Sequence, residues 1–199
     1  MRRSSGWRAY KPGRPRAALA LAVAATRAAP SPPVRILGLD PGSRATGFGV
    51  VDVGRGGPRY VASGTIRASG ADFPKRLQEI YAGVAALIAE YAPGEIAIER
   101  VFVDRNPDSA LKLGQARGAA LSATFACAAP IHEYTPRAVK LGVVGTGAAE
   151  KVQVQRMVGV ILGLEGRLGA DAADALAIAL CHAHGRATRL ALAAAGGAA

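Results

Sequence analysis

Cysteine is scarce in this chain. Cys127 and Cys181 are the two among 199 residues. No CxxC or Cys/His finger spacing surrounds them, which argues against a structural zinc site, and two free thiols in a reducing cytosol are expected. No apolar run approaches the roughly 18 residues that a membrane span requires, so no membrane association is expected. Negative charge is missing from one region altogether. Residues 1–33 hold seven of the 25 Lys and Arg and no Asp or Glu, so most of the net charge of +11 sits in that arm and the rest carries +4. A mildly basic body suggests a polyanionic partner, and the placement of its charge matters more than the amount.

Hydrophobic residues make up 50% of the chain, enough for one domain with a substantial core. Residues 1–33 lack clean periodicity and end in Pro30-Ser31-Pro32-Pro33. A secretory signal, an organelle transit peptide and a disordered basic arm are all compatible with this composition. The reading preferred here is a dispensable or non-native extension, with the folded domain over residues 34–184 and a frayed tail over 185–199.

Val34–Leu39 is strand-forming, and Asp40-Pro41-Gly42 stops it at once. Residues 46–53 and 59–66 read as two strands joined by a hairpin turn at Gly54–Pro58. From Asp72-Phe73-Pro74 to Tyr91, Leu77, Ile80, Tyr81, Val84, Leu87 and Ile88 keep the spacing of one buried helix face. Glu95–Glu99 is a short buried strand. A helix is expected from Pro107 to about Ala126. Its Gly114 and Gly118 share a face, which calls for a close neighbour, either the sheet or a second subunit. Ile131–Tyr134 is the last strand. Thr135-Pro136 starts a short helix, Ala148 to Leu162 forms another, and Ala170–His184 is helical. Cys181-His182-Ala183-His184 has the composition of a metal cluster, but helical spacing sends residues 182 and 184 to different faces.

Two strands thus end in an acid, Asp40 and Glu99, and the C-terminal ends of strands are where ligands bind in open α/β sheets. Asp171 and Asp174 lie three apart, on one face of the last helix. Part of that pairing is explained by the preference of acids for a helix N-terminus. Four carboxylates at element ends suit Mg²⁺ or Mn²⁺ rather than zinc. Two such ions about 4 Å apart activate water and stabilise the leaving oxygen of a phosphodiester. The element order, with acids after the first and fourth strands, fits an α/β ribonuclease-H-like fold, a five-stranded mixed sheet flanked by helices.

The stretches Leu39–Arg44, Ala97–Phe102, Asp108–Gly118 and Asp171–Ala177 resemble the RuvC family of Holliday-junction resolvases, in order and at family spacing, from about Val34 to His184. The resemblance implies a homodimeric, Mg²⁺-dependent endonuclease in recombination and repair. Such an enzyme nicks two strands of like polarity across four-way junction DNA and leaves ligatable ends. It implies Asp40, Glu99, Asp171 and Asp174 as catalytic residues and ligands of two Mg²⁺ ions, for which Mn²⁺ can substitute. Phe102 matches an aromatic that stacks on junction bases, Lys140 and Lys151 match lysines near the scissile phosphate, and Arg105 and Asn106 fall in a loop near the cleavage site. The partners implied are RuvA and RuvB, and the implied compartment is the cytoplasm. The N-terminal extension departs from the family pattern.

Three rivals remain. A ribosomal-RNA-processing nuclease of the same fold lacks the Gly114–Gly118 helix and the lysine pair. A sugar-kinase or actin-like ATPase needs two such domains. A non-catalytic junction-binding module does not need four acids.

Overall fold

A computed structural model describes residues 32–100, 106–166 and 168–196 of the chain. Expectations for residues 1–31, Phe102 and Arg105 lie outside the described residues. Among the described residues, five strands and five helices follow in the order β1 (Val34–Asp40), β2 (Ala45–Gly54), β3 (Gly57–Arg67), α1 (Phe73–Tyr91), β4 (Glu95–Glu99), α2 (Pro107–Thr124), β5 (Ile131–Tyr134), α3 (Pro136–Val144), α4 (Lys151–Leu162) and α5 (Ala170–Gly196).

The sheet order is β3-β2-β1-β4-β5. β1 pairs antiparallel with β2 and parallel with β4, so Leu39 faces Phe48 on one side and Ile98 on the other. Because β1 and β4 are parallel and in near register, Asp40 and Glu99 emerge at the same edge. Side-chain alternation then separates two cores. Leu37, Leu39, Ile96 and Ile98 pack with Ile80 and Val84 of α1 and with Ala116 and Ala120 of α2. Ile36 and Ala97 pack on the opposite face with Val139, Val154, Val158, Leu176 and Leu180 of α3, α4 and α5. Burying one such Leu or Ile side chain contributes about 1.5–3 kcal/mol.

Local signals set the helix starts. The Asp72 side chain accepts from the Lys75 N–H at 2.7 Å, and that of Thr135 accepts from Ala138 N–H at 3.1 Å. The fourth helix begins at Lys151 rather than Ala148, because the Gln153 side chain accepts from the Glu150 N–H at 2.8 Å and caps it there.

The expectation of a frayed tail from Gly185 is corrected: α5 continues to Gly196. One glycine costs a helix about 1 kcal/mol, and here that cost is offset. Arg186 Nε donates to Glu95 Oε1 at 2.7 Å, and Arg189 reaches His182 Nδ1 at 3.3 Å. Arg186 thus ties the helix to the start of β4, and Arg189 braces His182 within the helix.

The close approach expected at Gly114 and Gly118 is not made among the described residues, where a Cβ at either would meet open space. It occurs at Gly38 and Gly47 instead. A Cβ on Gly38 would collide with the carbonyl oxygen of Ala175, and one on Gly47 with that of Asp171. These glycines in β1 and β2, facing an alanine-rich helix, let the α5 backbone lie directly on the sheet and bring its acids to the edge where β1 and β4 end.

Candidate active site

Asp40 and Glu99 line one cleft of about 400 Å³ together with Asp174, Lys140 and Lys151. Its wall is Pro136, Val139, Val154, Ala177 and Ile178, so α3, α4 and α5 close it from above the sheet. Asp174 is ion-paired with Lys151, the first residue of α4. That contact holds the Lys151 ammonium above its ordinary pKa, and burial only partly opposes it. Lys140 projects from α3 into the same cleft.

The electrostatics are those of crowded like charges. The Asp40 carboxyl is pushed up to about 7, first by burial, then by the charges of Glu99 and Asp174 and a hydrogen bond shared with Glu99. Glu99 is also raised, chiefly by burial and with help from Asp174, while the bond it shares with Asp40 acts the other way on it. Lys151 eases both. Lys151 pairs with Asp174 alone, so Asp40 and Glu99 stay crowded in a half-buried cleft, and a divalent cation would relieve that repulsion.

Asp171, one turn earlier on α5, does not line this cleft; its Oδ2 accepts from Thr65 Oγ1 of β3 at 3.4 Å. The two acids of the helix therefore flank the cleft unequally. Asn106 is exposed and caps α2, accepting from the N–H groups of Asp108 at 3.1 Å and Ser109 at 3.4 Å. Among the described residues, the neighbouring Arg100 does not pair with Glu99. Arg100 Nε instead contacts Glu133 at 3.2 Å, leaving Glu99 to the cleft.

Sequence reasoning missed Arg117 of the Gly114–Gly118 segment. Its Nε donates to the Glu99 carbonyl at 3.0 Å and its guanidinium contacts Glu133 at 2.5 Å, so α2 clamps the end of β4 where Glu99 emerges. An arginine between two glycines on a helix was the available signal. Thr65 had none.

The donors in the cleft are carboxylate oxygens, and neither His nor Cys lines it. That set fits a hard cation such as Mg²⁺ or Mn²⁺ and does not suit zinc.

Residues 36–182 match the family model for the crossover junction endodeoxyribonuclease RuvC. A RuvC from Stenotrophomonas maltophilia is 57% identical over 156 residues, covering 77% of this chain and 90% of that protein. The chain belongs to the RuvC family. It is an endonuclease of the crossover-junction class, a hydrolase of DNA phosphodiester bonds, and nucleases of this family are metal-dependent. Among solved structures, Thermus thermophilus RuvC in complex with a Holliday junction substrate is similar, with a TM-score of 0.72 and 36% identity over 77% of this chain and 94% of that one. A yeast mitochondrial Holliday junction resolvase shares the fold, with a TM-score of 0.60 at 16% identity. The ribonuclease-H-like five-stranded sheet is thus the RuvC fold. No helix among the described residues is long and apolar enough to cross a membrane.

Proposed function

We propose that this chain resolves four-way DNA junctions by paired nicks in two strands of like polarity, using Asp40, Glu99, Asp171 and Asp174 to hold two Mg²⁺ ions. The observation that carries the reading is the half-buried trio Asp40, Glu99 and Asp174 facing Lys140 and Lys151 across one cleft. Ions bound there would activate water and stabilise the leaving 3′ oxygen. The protein's part is to aim its donors beforehand. β1 and β4 fix two carboxylates at one sheet edge, and α5 adds the others. Asp40 must give up its proton before it can serve as a ligand. Lys151 balances Asp174 until phosphate enters, and Lys140 offers a second positive contact to the backbone. Phe102 stacks on unpaired bases in this reading, while Arg105 and Asn106 act near the cut strand.

Paired cuts call for two sites related by a two-fold axis, so a homodimer is part of the proposal. The α2 surface supports it. Leu111 is 63% and Phe125 72% exposed, and the open Gly114 and Gly118 lie between them, as a close helix contact with a second copy would require. RuvA and RuvB are the proposed partners, and the cytoplasm is the proposed compartment.

The test incubates purified protein with a synthetic four-way junction and with linear duplex of the same sequence, with and without Mg²⁺. Mg²⁺-dependent symmetric nicking of the junction alone, leaving ends that a ligase seals, is expected. Equal cleavage of both substrates would refute the proposal.

A further inference from the structure

At the opposite end of the same sheet face, Glu95 opens β4, His132 lies on β5 and His182 projects from α5. One ligand-type atom from each falls within 4.8 Å of the others. His182 is fully buried; its Nε2 meets Glu95 Oε2 at 2.5 Å and its Nδ1 meets the Tyr134 hydroxyl at 2.6 Å. The His132 ring stacks on His182 with centroids 4.4 Å apart. Among the described residues, no hydrogen bond engages the nitrogens of His132, and its partial exposure opens a path from solvent.

We propose that Glu95, His132 and His182 form a site for a borderline divalent transition ion of the zinc class, which clamps α5 to β4 and β5. Two imidazoles and a carboxylate are a zinc donor set, unlike the all-oxygen cleft. The supporting contacts are those a ligand set needs. Arg186 holds the remaining oxygen of Glu95 at 2.7 Å, and Tyr134 can accept from Nδ1 of His182 once Nε2 turns to the ion. Tetrahedral coordination places ligand atoms about 3.3 Å apart, so His182 and Glu95 separate slightly while His132 closes in. The ion takes the position of the proton now shared between His182 and Glu95. Arg189, 3.3 Å from His182 Nδ1, opposes it through like charge. That opposition gives the site a signature.

The experiment titrates Co²⁺ and then Zn²⁺ into metal-stripped full-length protein in excess Mg²⁺, which occupies the carboxylate cleft. The readouts are the intense visible absorption of four-coordinate Co²⁺ and competition with a chromophoric chelator. One equivalent with that absorption is expected, at least tenfold weaker in Glu95→Gln and His132→Gln and several-fold tighter in Arg189→Met. Circular dichroism verifies folding, and His132→Gln alone decides if Glu95→Gln does not fold. Absence of the four-coordinate absorption, or binding indifferent to His132→Gln, would overturn the proposal and leave a hydrogen-bonded network.

Discussion

The two ends of the sheet face that α5 covers are held in opposite ways. Under the first turns of α5, Asp174 joins Asp40 and Glu99, and three acids face two lysines, of which Lys151 pairs with Asp174. At the other end, Glu95 receives His182 and Arg186, and its carboxyl is lowered: burial pushes it up, but those hydrogen bonds together outweigh it. One end is held against its own repulsion and the other is satisfied. Like charges buried without partners cost stability, and a fold keeps them only where something else repays the cost. The pH dependences have opposite signs. Asp40 titrates higher folded than unfolded, so its contribution is greatest at low pH and is lost as pH rises from about 4 through about 7. Glu95 titrates lower, so its contribution is present above about 4.5 and is lost as pH falls.

The largest expected effect comes from the repulsive end. Glu99→Gln lowers junction cleavage by roughly 100- to 1,000-fold, the range for losing one group aimed at transition-state charge, and leaves thermal stability equal or higher. A stable variant with full activity would break the contrast. Next is Gly38→Val, where overpacking against the Ala175 carbonyl costs about 3 kcal/mol in urea unfolding and cleavage falls as α5 lifts. Lys151→Met lowers the cleavage rate about 10- to 100-fold, as removal of a partner that supports a ligand does. Glu95→Gln moves the other way from Glu99→Gln: it destabilises by about 1–3 kcal/mol, because it weakens the anchoring of the buried His182 and of Arg186. Smallest is Arg117→Met, about 1 kcal/mol in stability, with a modest loss of activity as the Glu99 carbonyl loses its donor.

Much of the cleft was legible in the chain because strand ends and acids are local signals. Apolar runs stopping at Asp40 and Glu99, and a helix start carrying Asp171 and Asp174, need no tertiary knowledge. What could not be read was depth and pairing. The i,i+3 spacing put Asp171 and Asp174 on one face, yet only Asp174 lines the cleft, since Asp171 packs beside Thr65 of a strand more than 100 residues away. The glycines that permit helix-on-sheet contact lie in β1 and β2, where strand pattern conceals them, and not in the conspicuous Gly114–Gly118 segment. The length of α5 was hidden for a similar reason: Gly185 looks like a stop until Glu95, 90 residues earlier, supplies Arg186 with a partner. His182 looked like one half of a doubtful pair with His184, and its real neighbours come from β4 and β5.

The central claim is that Asp40 is held against its neighbours for the sake of a cation. Thermal unfolding of the wild type and Asp40→Asn, at pH 5 and pH 8, with and without Mg²⁺, tests it most directly. Without metal, the wild type should lose more stability between pH 5 and pH 8 than Asp40→Asn does, and at pH 8 Mg²⁺ should restore the wild type while barely moving the variant. Identical pH slopes and identical responses to Mg²⁺ in the two proteins would contradict the account.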